Sequence, residues 1–502
     1  MGLATILSRA AIGIEAPEIL VEVNLSPGLP VFAIVGMPET AVRESKDRVR
    51  AALRNSGFQL PSWRTTVSLA PADLPKEGAR FDLPIAVGLL AASGQVSTDN
   101  LDRWEFMGEL SLTGRLRGIK AALPAILRAR EQGRKLVLPL ANAEEAGLVR
   151  GADIYLAESL CDVAAALNGH GDLPRPRPPA DSEHTHGPDL SDVLGQYRAR
   201  RALEIAAAGG HNLLLLGPPG TGKTLLASRL PGILPPMTET EALEAAAVES
   251  VAGARLDPAT WRQRRFRAPH HTASGVALVG GGSRPRPGEI SLAHNGILFL
   301  DELPEFSRHV LEVLREPLES GRVMISRAAV QAEFPARFQL VAAMNPCPCG
   351  YAGDPSGRCQ CTPDQAIRYR NRVSGPLLDR IDMHVEVPRQ SLRDLPRGES
   401  SKAVRKRVIQ ARDVQQQRGH INALLDVAGI RRHCGLNNHQ ANLLEAACEK
   451  LRLSARAHHR IVRVARTIAD LAGSKAIQTE HLSEAIGYRQ LDREPPQLVR
   501  IA

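Results

Sequence analysis

Apolar runs along the chain alternate with amphipathic stretches in two long regions and give way to a purely helical period in a third. Residues 1–168 alternate short runs such as "VFAIVG" and "KLVLPL" with helical stretches such as "IKAALPAILRAREQG", which is typical of an α/β domain. Residues 189–390 repeat this pattern, and residues 391–502 are helical with almost no strand signal. Between the two α/β regions, residues 169–188 are proline-rich and lack an apolar period, which predicts an exposed linker.

A glycine-rich turn in the second region separates an apolar strand from a helix, in "NLLLLGPPGTGKTLLASRL". The spacing G-x-x-x-x-G-K-T in this context predicts a phosphate-binding loop, whose backbone N–H groups converge on a phosphate. Lys223 is expected to reach the β and γ phosphates, and Thr224 to bind Mg²⁺. The residues expected to contact the nucleotide are Gly217, Pro218, Pro219, Gly220, Thr221, Gly222, Lys223 and Thr224.

Two further apolar strands end in polar residues that suit the same site. "GILFLDE" ends in Asp301, a candidate Mg²⁺ ligand, and Glu302, a candidate base for the attacking water. "FQLVAAMN" ends in Asn345, which would lie beside the acidic pair in a parallel sheet and contact the γ-phosphate or the water. Asn345 is also compatible with a simple turn before Pro346.

Together these motifs resemble the AAA+ ATPases, whose fold is a P-loop α/β/α sandwich followed by a helical lid domain. The resemblance implies a ring in which a neighbouring subunit donates an arginine to each site. "SGPLLDRIDMHVEV" makes Arg380 the candidate finger, although a salt bridge with Asp379 or Asp382 would also explain it. In the helical region "LSARAHHRIVRVARTIADL" resembles the second-sensor helix, with Arg456 as the candidate and Arg460 as the alternative.

Two insertions into this ATPase pattern carry arginines. One is a glycine-rich segment, and the other, "SGRVMISRAAVQAEF", is predicted to be a β-hairpin. They resemble the branch of magnesium-chelatase motor subunits and MCM helicases, in which such loops line a central pore. The net charge of +9 is compatible with DNA or with a merely basic surface. The candidate DNA contacts, which could also be solvated surface charges, are Arg284, Arg286, Arg322 and Arg327. The adjacent His270 and His271 are interpreted as pore lining or a capped turn.

The segments "SLAPADLPKEGARFDLPIA" and "MNPCPCG" extend the resemblance over nearly the whole chain, to the ComM/YifB family of bacterial magnesium-chelatase-like ATPases. That family implies a hexameric motor that uses ATP and Mg²⁺ to move on single-stranded or branched DNA. It also implies a helicase for branch migration during natural transformation. The alternative is an ATP-driven remodeller of a protein or chelatase-type partner. The beginning of the chain lacks a signal-peptide pattern and its apolar runs are too short to cross a membrane, so we expect a cytoplasmic protein.

The front region resembles the proteolytic domain of Lon proteases. In that comparison Arg80 stands where the nucleophilic serine would fall, and Ala122 stands where a catalytic lysine would fall. Because a nucleophile in register is missing, we expect the front domain to be proteolytically inactive.

Four cysteines cluster in residues 347–361 with the spacing C-x-C, nine residues, C-x-C: Cys347, Cys349, Cys359 and Cys361. Four thiolates predict a closed, structural Zn²⁺ site, with an iron–sulfur cluster or free thiols as alternatives. The remaining cysteines stand singly in helical patterns and are predicted to be core residues: Cys161, Cys434 and Cys448.

Overall fold

The computed structural model describes residues 2–60, 62–179, 187–282, 285–327, 330–354, 357–390, 396–451 and 453–489. Within them, none of the helices combines the length and apolar character that crossing a membrane would require.

The front part of the chain is built on a seven-stranded mixed sheet. Its strands are β1 Gly2–Arg9, β2 Glu18–Ser26, β3 Phe32–Val35, β4 Arg64–Ala70, β5 Trp104–Phe106, β8 Lys135–Pro139 and β9 Asp153–Ala157, in the order β3-β4-β2-β1-β5-β8-β9, with β6 Glu109–Leu110 and β7 Leu116–Arg117 forming a small ladder. Its helices are α1 Thr40–Arg43, α2 Ser45–Asn55, α3 Asp82–Ala92, α4 Ala122–Glu131, α5 Ala143–Gly147 and α6 Leu160–Leu167. The α3 sequence "DLPIAVGLLAA" is apolar on nearly every side because almost all of it is buried.

The second part is built on a five-stranded parallel sheet. The sheet strands are β10 Leu213–Leu216, β11 Phe266–Arg267, β14 Ile297–Leu300, β17 Gln339–Met344 and β18 Met383–Glu386, in the order β11-β14-β17-β10-β18. The other elements here are α7 Tyr197–Gly209, α8 Lys223–Ile233, α9 Glu239–Ala252, α10 Gly275–Val279, β12 Gly280–Gly281, β13 Arg286–Pro287, α11 Glu289–Leu292, α12 Arg308–Val313, α13 Arg315–Ser320, β15 Arg322–Arg327, β16 Val330–Pro335, α14 Pro363–Arg370 and α15 Gly375–Leu378. β10, β14 and β17 are buried throughout, and apart from Gln339 at the start of β17 all their residues are apolar.

The last part is helical, as the sequence predicts. It contains α16 Ser401–Gln417, α17 Val427–His433, α18 Asn438–Leu451, α19 Ala455–Leu471 and α20 Thr479–Gly487. These helices share one apolar core with α7 and with the faces of β10 and β18, so the lid packs directly on the five-stranded sheet. The architecture is therefore the expected sandwich with a helical lid.

A buried apolar cluster joins the front part to the second part. Leu123 and Ile126 of α4 lie in it together with Leu243 and Ala246 of α9. Polar contacts flank the cluster, where the Ser250 hydroxyl donates to the Glu145 carboxylate. The two parts therefore share a continuous hydrophobic interface.

The expected exposed linker is only partly exposed. Leu173 is buried against the front domain, and the Pro174 carbonyl accepts a hydrogen bond of 2.8 Å from the backbone N–H of Leu156 in β9. Since β9 is an edge strand, this segment satisfies part of an otherwise open edge. The sequence prediction of full exposure rested on the prolines, but the apolar side chain of Leu173 packs against the front domain. Residues 180–186 lie outside the described residues.

Candidate functional site

The glycine-rich turn after β10 has the backbone that a phosphate loop requires. Gly220 and Gly222 have φ of +77° and +87°, in the left-handed region that favours glycine. A Cβ on Gly217 would lie 2.2 Å from the Val387 carbonyl oxygen, so this position also excludes a side chain. The turn then passes directly into α8, which begins at Lys223. The N-terminal turn of that helix presents unpaired N–H groups to an anion.

Lys223 lies mostly buried under the loop. Its ammonium group donates to the carbonyls of Gly217 and Pro218 at 2.7 and 2.9 Å, and to Asn345 Oδ1 at 3.0 Å. Burial lowers its pKa from the ordinary value, while Asp301 and Glu302 act in the opposite direction. The ammonium therefore joins the phosphate loop to the end of the neighbouring strand.

Thr224 and Asp301 form the second contact across the site. The Thr224 hydroxyl donates to Asp301 Oδ2 at 2.6 Å, and Asp301 Oδ1 accepts from the backbone N–H of Glu302 at 2.9 Å. A hydroxyl and a carboxylate are hard oxygen ligands of the kind that Mg²⁺ takes from proteins. The donor set fits the expected ion, which Thr224 and Asp301 would hold.

Glu302 has a partner that the sequence interpretation missed. Its Oε2 lies 3.2 Å from Nδ1 of His271, in the segment that follows β11. Glu302 itself has φ of +51°, a left-handed conformation that turns the chain sharply after β14. Nδ1 of the neighbouring His270 shares a hydrogen bond of 2.8 Å with the Thr272 hydroxyl, which caps the turn. The sequence shows only that two histidines are adjacent, which does not identify Glu302 as the partner of one of them.

Asn345 lies where the sequence predicts. β17 pairs in parallel with β14 on one side and with β10 on the other. Its last residue, Met344, aligns with Leu216 at the end of β10. Asn345 therefore follows the strand between the acidic pair and the phosphate loop, and its side chain contacts Lys223.

Arg380 lies at the end of the sheet opposite to the phosphate loop. Its carbonyl accepts a 3.2 Å hydrogen bond from Asn212 Nδ2, just before β10, whereas the phosphate loop follows β10. Its side chain is buried and pairs with Glu319 at 2.5 Å, rather than with either expected aspartate. Asp382 instead pairs with Arg460, and the Asp379 carboxylate accepts from Ser454. The alternative interpretation of Arg380, a salt bridge with Asp379 or Asp382, had the wrong partner because Glu319 is brought in from α13, 61 residues away.

The two second-sensor candidates have different surroundings. Arg460 is held by Asp382 and by the Arg380 carbonyl, at 3.0 Å from the latter. Arg456 is largely exposed at the start of α19, with Nη1 3.6 Å from Glu319. Arg456 thus lies on the Arg380 side of the sheet with its guanidinium accessible.

The four clustered cysteines converge on one point. Their sulfur atoms all lie within 4.8 Å of one another, although the two pairs are separated by nine residues. Cys347 Sγ is 3.4 Å from Cys349 Sγ and 3.8 Å from Cys359 Sγ. Four thiolates about 2.3 Å from a tetrahedral zinc ion would be about 3.8 Å apart. The donor set therefore fits Zn²⁺ in spacing, number and chemistry.

The thiols have unequal proton affinities. The backbone N–H of Tyr351 is the main cause that lowers the pKa of Cys349 to about 6. Burial raises the pKa of Cys359 to about 11. A bound cation would deprotonate all four thiols.

Of the other cysteines, Cys434 is buried as expected, but Cys161 is exposed on α6, because its side of that short helix faces solvent.

The expected DNA contacts have different placements. β15 and β16 pair as the predicted hairpin, and Ile325 of β15 packs against Gly280 of the glycine-rich insertion. Arg286 is exposed in β13, and Arg322 is exposed at the hairpin's base but paired with Glu333 at 2.8 Å. Arg327 ends β15, and its side chain lies outside the described part of the structure, as does the whole of Arg284.

In the front domain, the position expected for a protease nucleophile holds a buried guanidinium. Arg80 Nη2 donates to the Lys120 carbonyl at 2.6 Å. Burial lowers the pKa of Arg80 to about 10, against the opposing effects of Glu77 and Glu145. The side chain fills the space next to the segment where a catalytic lysine would be needed.

Comparisons with known proteins agree with this geometry. Three family models match: magnesium chelatase subunit ChlI over residues 189–395, subunit ChlI of Mg-chelatase over 21–142, and the ChlI C-terminal part over 398–489. The chain is 54% identical to the competence protein ComM of Haemophilus influenzae and 51% identical to the uncharacterized protein YifB of Escherichia coli, each over 98% of both chains. It is 41% identical to an uncharacterized protein of Mycobacterium tuberculosis over 98% of this chain and 99% of that one. The chain belongs to the ComM/YifB family of magnesium-chelatase-like AAA+ proteins.

Proposed function

We propose that this protein is a ring-forming ATPase that converts ATP hydrolysis into movement along DNA. The observation that carries the proposal is the convergence of Lys223, Thr224, Asp301 and Asn345 at the carboxyl edge of one parallel sheet. Each contributes the chemistry that binding and cleaving a triphosphate require.

The roles follow from the contacts. The backbone of 217–222 and the Lys223 ammonium would bind the β and γ phosphates. Thr224 and Asp301 would hold Mg²⁺, which neutralises the charge that develops between those phosphates. Glu302 would accept a proton from the attacking water, and Asn345 would contact the γ-phosphate while still linked to Lys223.

The position of Arg380 supports a site shared between subunits. In the register of β10 with β18, Leu213 aligns with Met383 and Leu216 with Glu386. Three residue steps of about 3.3 Å put about 10 Å of sheet between these ends. Arg380 precedes one end and the phosphate loop follows the other, so the arginine would serve a neighbouring subunit's nucleotide. A heterologous contact whose rotation closes generates a ring, and we propose a hexamer.

The cysteine cluster would bind a structural zinc ion. Cys347, Cys349, Cys359 and Cys361 leave no open position in a tetrahedral site, so the ion would order the loop rather than act on a substrate. Because the loop follows directly after Asn345, a zinc ion that orders the loop would also help to hold Asn345 in the nucleotide site.

The DNA assignment rests on the two insertions and on the name of one relative. The hairpin and the glycine-rich insertion pack against each other at Ile325 and Gly280, and Arg286 of the insertion is exposed. The relative from Haemophilus influenzae is called a competence protein. We therefore propose that the motor migrates branches while single-stranded DNA is integrated during natural transformation.

A comparison of three proteins tests the proposal. The parent, Glu302→Gln and Arg327→Ala would be assayed for ATP hydrolysis with and without forked DNA, and for strand displacement on the same fork. We expect DNA to stimulate the parent, Glu302→Gln to bind ATP without turnover, and Arg327→Ala to keep basal hydrolysis but lose displacement. Because Arg327→Ala would lose one phosphate contact, its DNA binding should depend less on salt. The slope of the log of the DNA-binding constant against log salt should be shallower by about 0.9.

The outcomes separate the two candidate functions. Hydrolysis that ignores DNA, with no strand displaced by the parent, would refute the DNA motor and favour a remodeller of a protein partner. Turnover by Glu302→Gln at the parental rate would refute the assignment of the nucleotide site itself.

A further inference from the structure

The cysteine loop lies directly on the phosphate loop. Gly350, next to Cys349, has φ of +88°, and a Cβ built on it would lie 2.7 Å from Cδ and 3.1 Å from Cγ of Pro219. Real Cβ atoms do not approach a neighbour to 2.7 Å, so the two loops are in contact with no space for one more carbon. The backbone N–H of Gly350 donates to the Cys347 carbonyl at 2.9 Å and fixes the turn. The contact is thus set by the cysteine turn itself.

A second connection runs through the end of β17. Asn345 lies two residues before Cys347 and accepts from Lys223 at 3.0 Å. Cys347 is fully buried, and its sulfur accepts from the backbone N–H of Ala352 at 3.3 Å. The cluster is therefore joined to the phosphate loop at two points, Pro219 within the loop and Lys223 at its end.

Among the described residues of 353–362 no side chain is fully buried, so packing contributes little to holding this part of the loop in place. Most side chains from Gly357 to Thr362 are exposed or half-exposed, and a Cβ added to Gly353 or Gly357 would meet nothing within 4 Å. Free thiols are weak hydrogen-bonding groups, so they would hold such a segment poorly. A metal bound by four thiolates would fix it.

We infer that the tetrathiolate metal site and the nucleotide site are coupled through the contact of Gly350 with Pro219. The metal-ordered turn supports the phosphate loop in its binding conformation, so metal occupancy strengthens nucleotide binding. Coupling between two ligands is reciprocal, so bound nucleotide must raise the affinity for the metal by the same factor. This inference rests on the zinc assignment in the proposed function.

Metal release measures the coupling without any turnover. The full-length protein, loaded with zinc, would be titrated to equilibrium with a competing colorimetric chelator, with and without a non-hydrolysable ATP analogue. In parallel, the Kd of a fluorescent ATP analogue would be measured for the zinc-loaded and the demetallated protein. We expect the zinc affinity to rise about tenfold with the analogue, and the analogue's Kd to rise about tenfold on demetallation.

Two glycines of the same loop give a matched pair of variants. Gly350 and Gly353 both have positive φ, +88° and +79°, so alanine brings similar backbone strain to each. At Gly353 the new methyl meets nothing within 4 Å, whereas at Gly350 it meets Pro219. We expect Gly350→Ala to keep one zinc per chain, to weaken analogue binding about tenfold and to abolish the effect of the analogue on zinc affinity. Gly353→Ala should match the parent in all three.

Each adverse result has its own meaning. Zinc that binds but has the same affinity with and without nucleotide would overturn the coupling and leave the ATPase intact. Gly350→Ala and Gly353→Ala behaving alike would overturn the Gly350 contact as its route. A parent that binds nucleotide but no zinc would overturn the metal assignment together with the coupling. The proposed ATPase function itself would be refuted by a different result, ATP turnover at the parental rate by Lys223→Ala.

Discussion

The placement of Arg380 predicts that two inactive variants restore activity when mixed. Lys223→Ala removes phosphate binding from a subunit's own site, and Arg380→Ala removes the arginine that the subunit would donate to its neighbour. An arginine finger contributes about 10³ to 10⁵ in rate, so each variant alone should hydrolyse ATP at least about 10³-fold slower than the parent.

A mixed ring contains interfaces in which both parts are intact. Such an interface pairs the site of an Arg380→Ala subunit with the arginine of a Lys223→Ala subunit. With equal amounts and random assembly, about one interface in four meets this condition. Phosphate release from the mixture should therefore reach about one quarter of the parental rate, after the subunits have exchanged in the presence of ATP and Mg²⁺.

Glu319→Gln is the control for a purely structural role of Arg380. It removes the ion pair of Arg380 with a half-exposed carboxylate, which contributes about 1 kcal/mol or less, but leaves the guanidinium in place. We expect near-parental hydrolysis. A mixture as inactive as its components, or a Glu319→Gln variant as slow as Arg380→Ala, would refute the shared site.

Three other predictions concern separate parts of the molecule. His271→Ala should lower kcat about tenfold without changing nucleotide Kd, because the ring that contacts Glu302 is lost; steady-state kinetics and nucleotide titration would check this split. Burial lowers the pKa of His384 from 6.5 to about 3, so the unfolded chain takes up a proton below pH 6.5 while the folded chain does not. The folded state should lose about 2 kcal/mol between pH 7.5 and pH 5 from this group, and urea unfolding of His384→Gln should show a pH dependence smaller by that amount. Leu123→Ala should destabilise the interface of α4 with α9 by about 2–5 kcal/mol, seen as a lower thermal midpoint; an unchanged midpoint would contradict the packing.

Features encoded by neighbouring residues were predictable from the sequence. The phosphate loop is a strand, a turn and a helix within one short segment, so spacing and glycine placement suffice to identify it. Asn345 was predictable because polar residues at the ends of parallel strands meet at one edge of the sheet. The convergence of the cysteines followed from their pairing and from the glycines between the pairs.

Contacts between distant segments were not predictable. Glu319 reaches Arg380 across 61 residues, and nearer aspartates looked equally suitable as partners. His271 and Glu302 meet because β11 lies beside β14, an arrangement that no local pattern encodes. Cys161 has the neighbours of a core residue in sequence, but helix orientation leaves it exposed.

The shared cluster of α4 and α9 also bears on how the protein can be dissected. A fragment that begins after the first sheet would retain α9, and its Leu243 and Ala246 would then face water instead of Leu123 and Ile126. Such a fragment would be prone to self-association, whatever its enzymatic competence. Inactivity of such a fragment would therefore reflect its exposed apolar surface and not a catalytic role of the front domain. Substitutions within the intact polypeptide test that role directly.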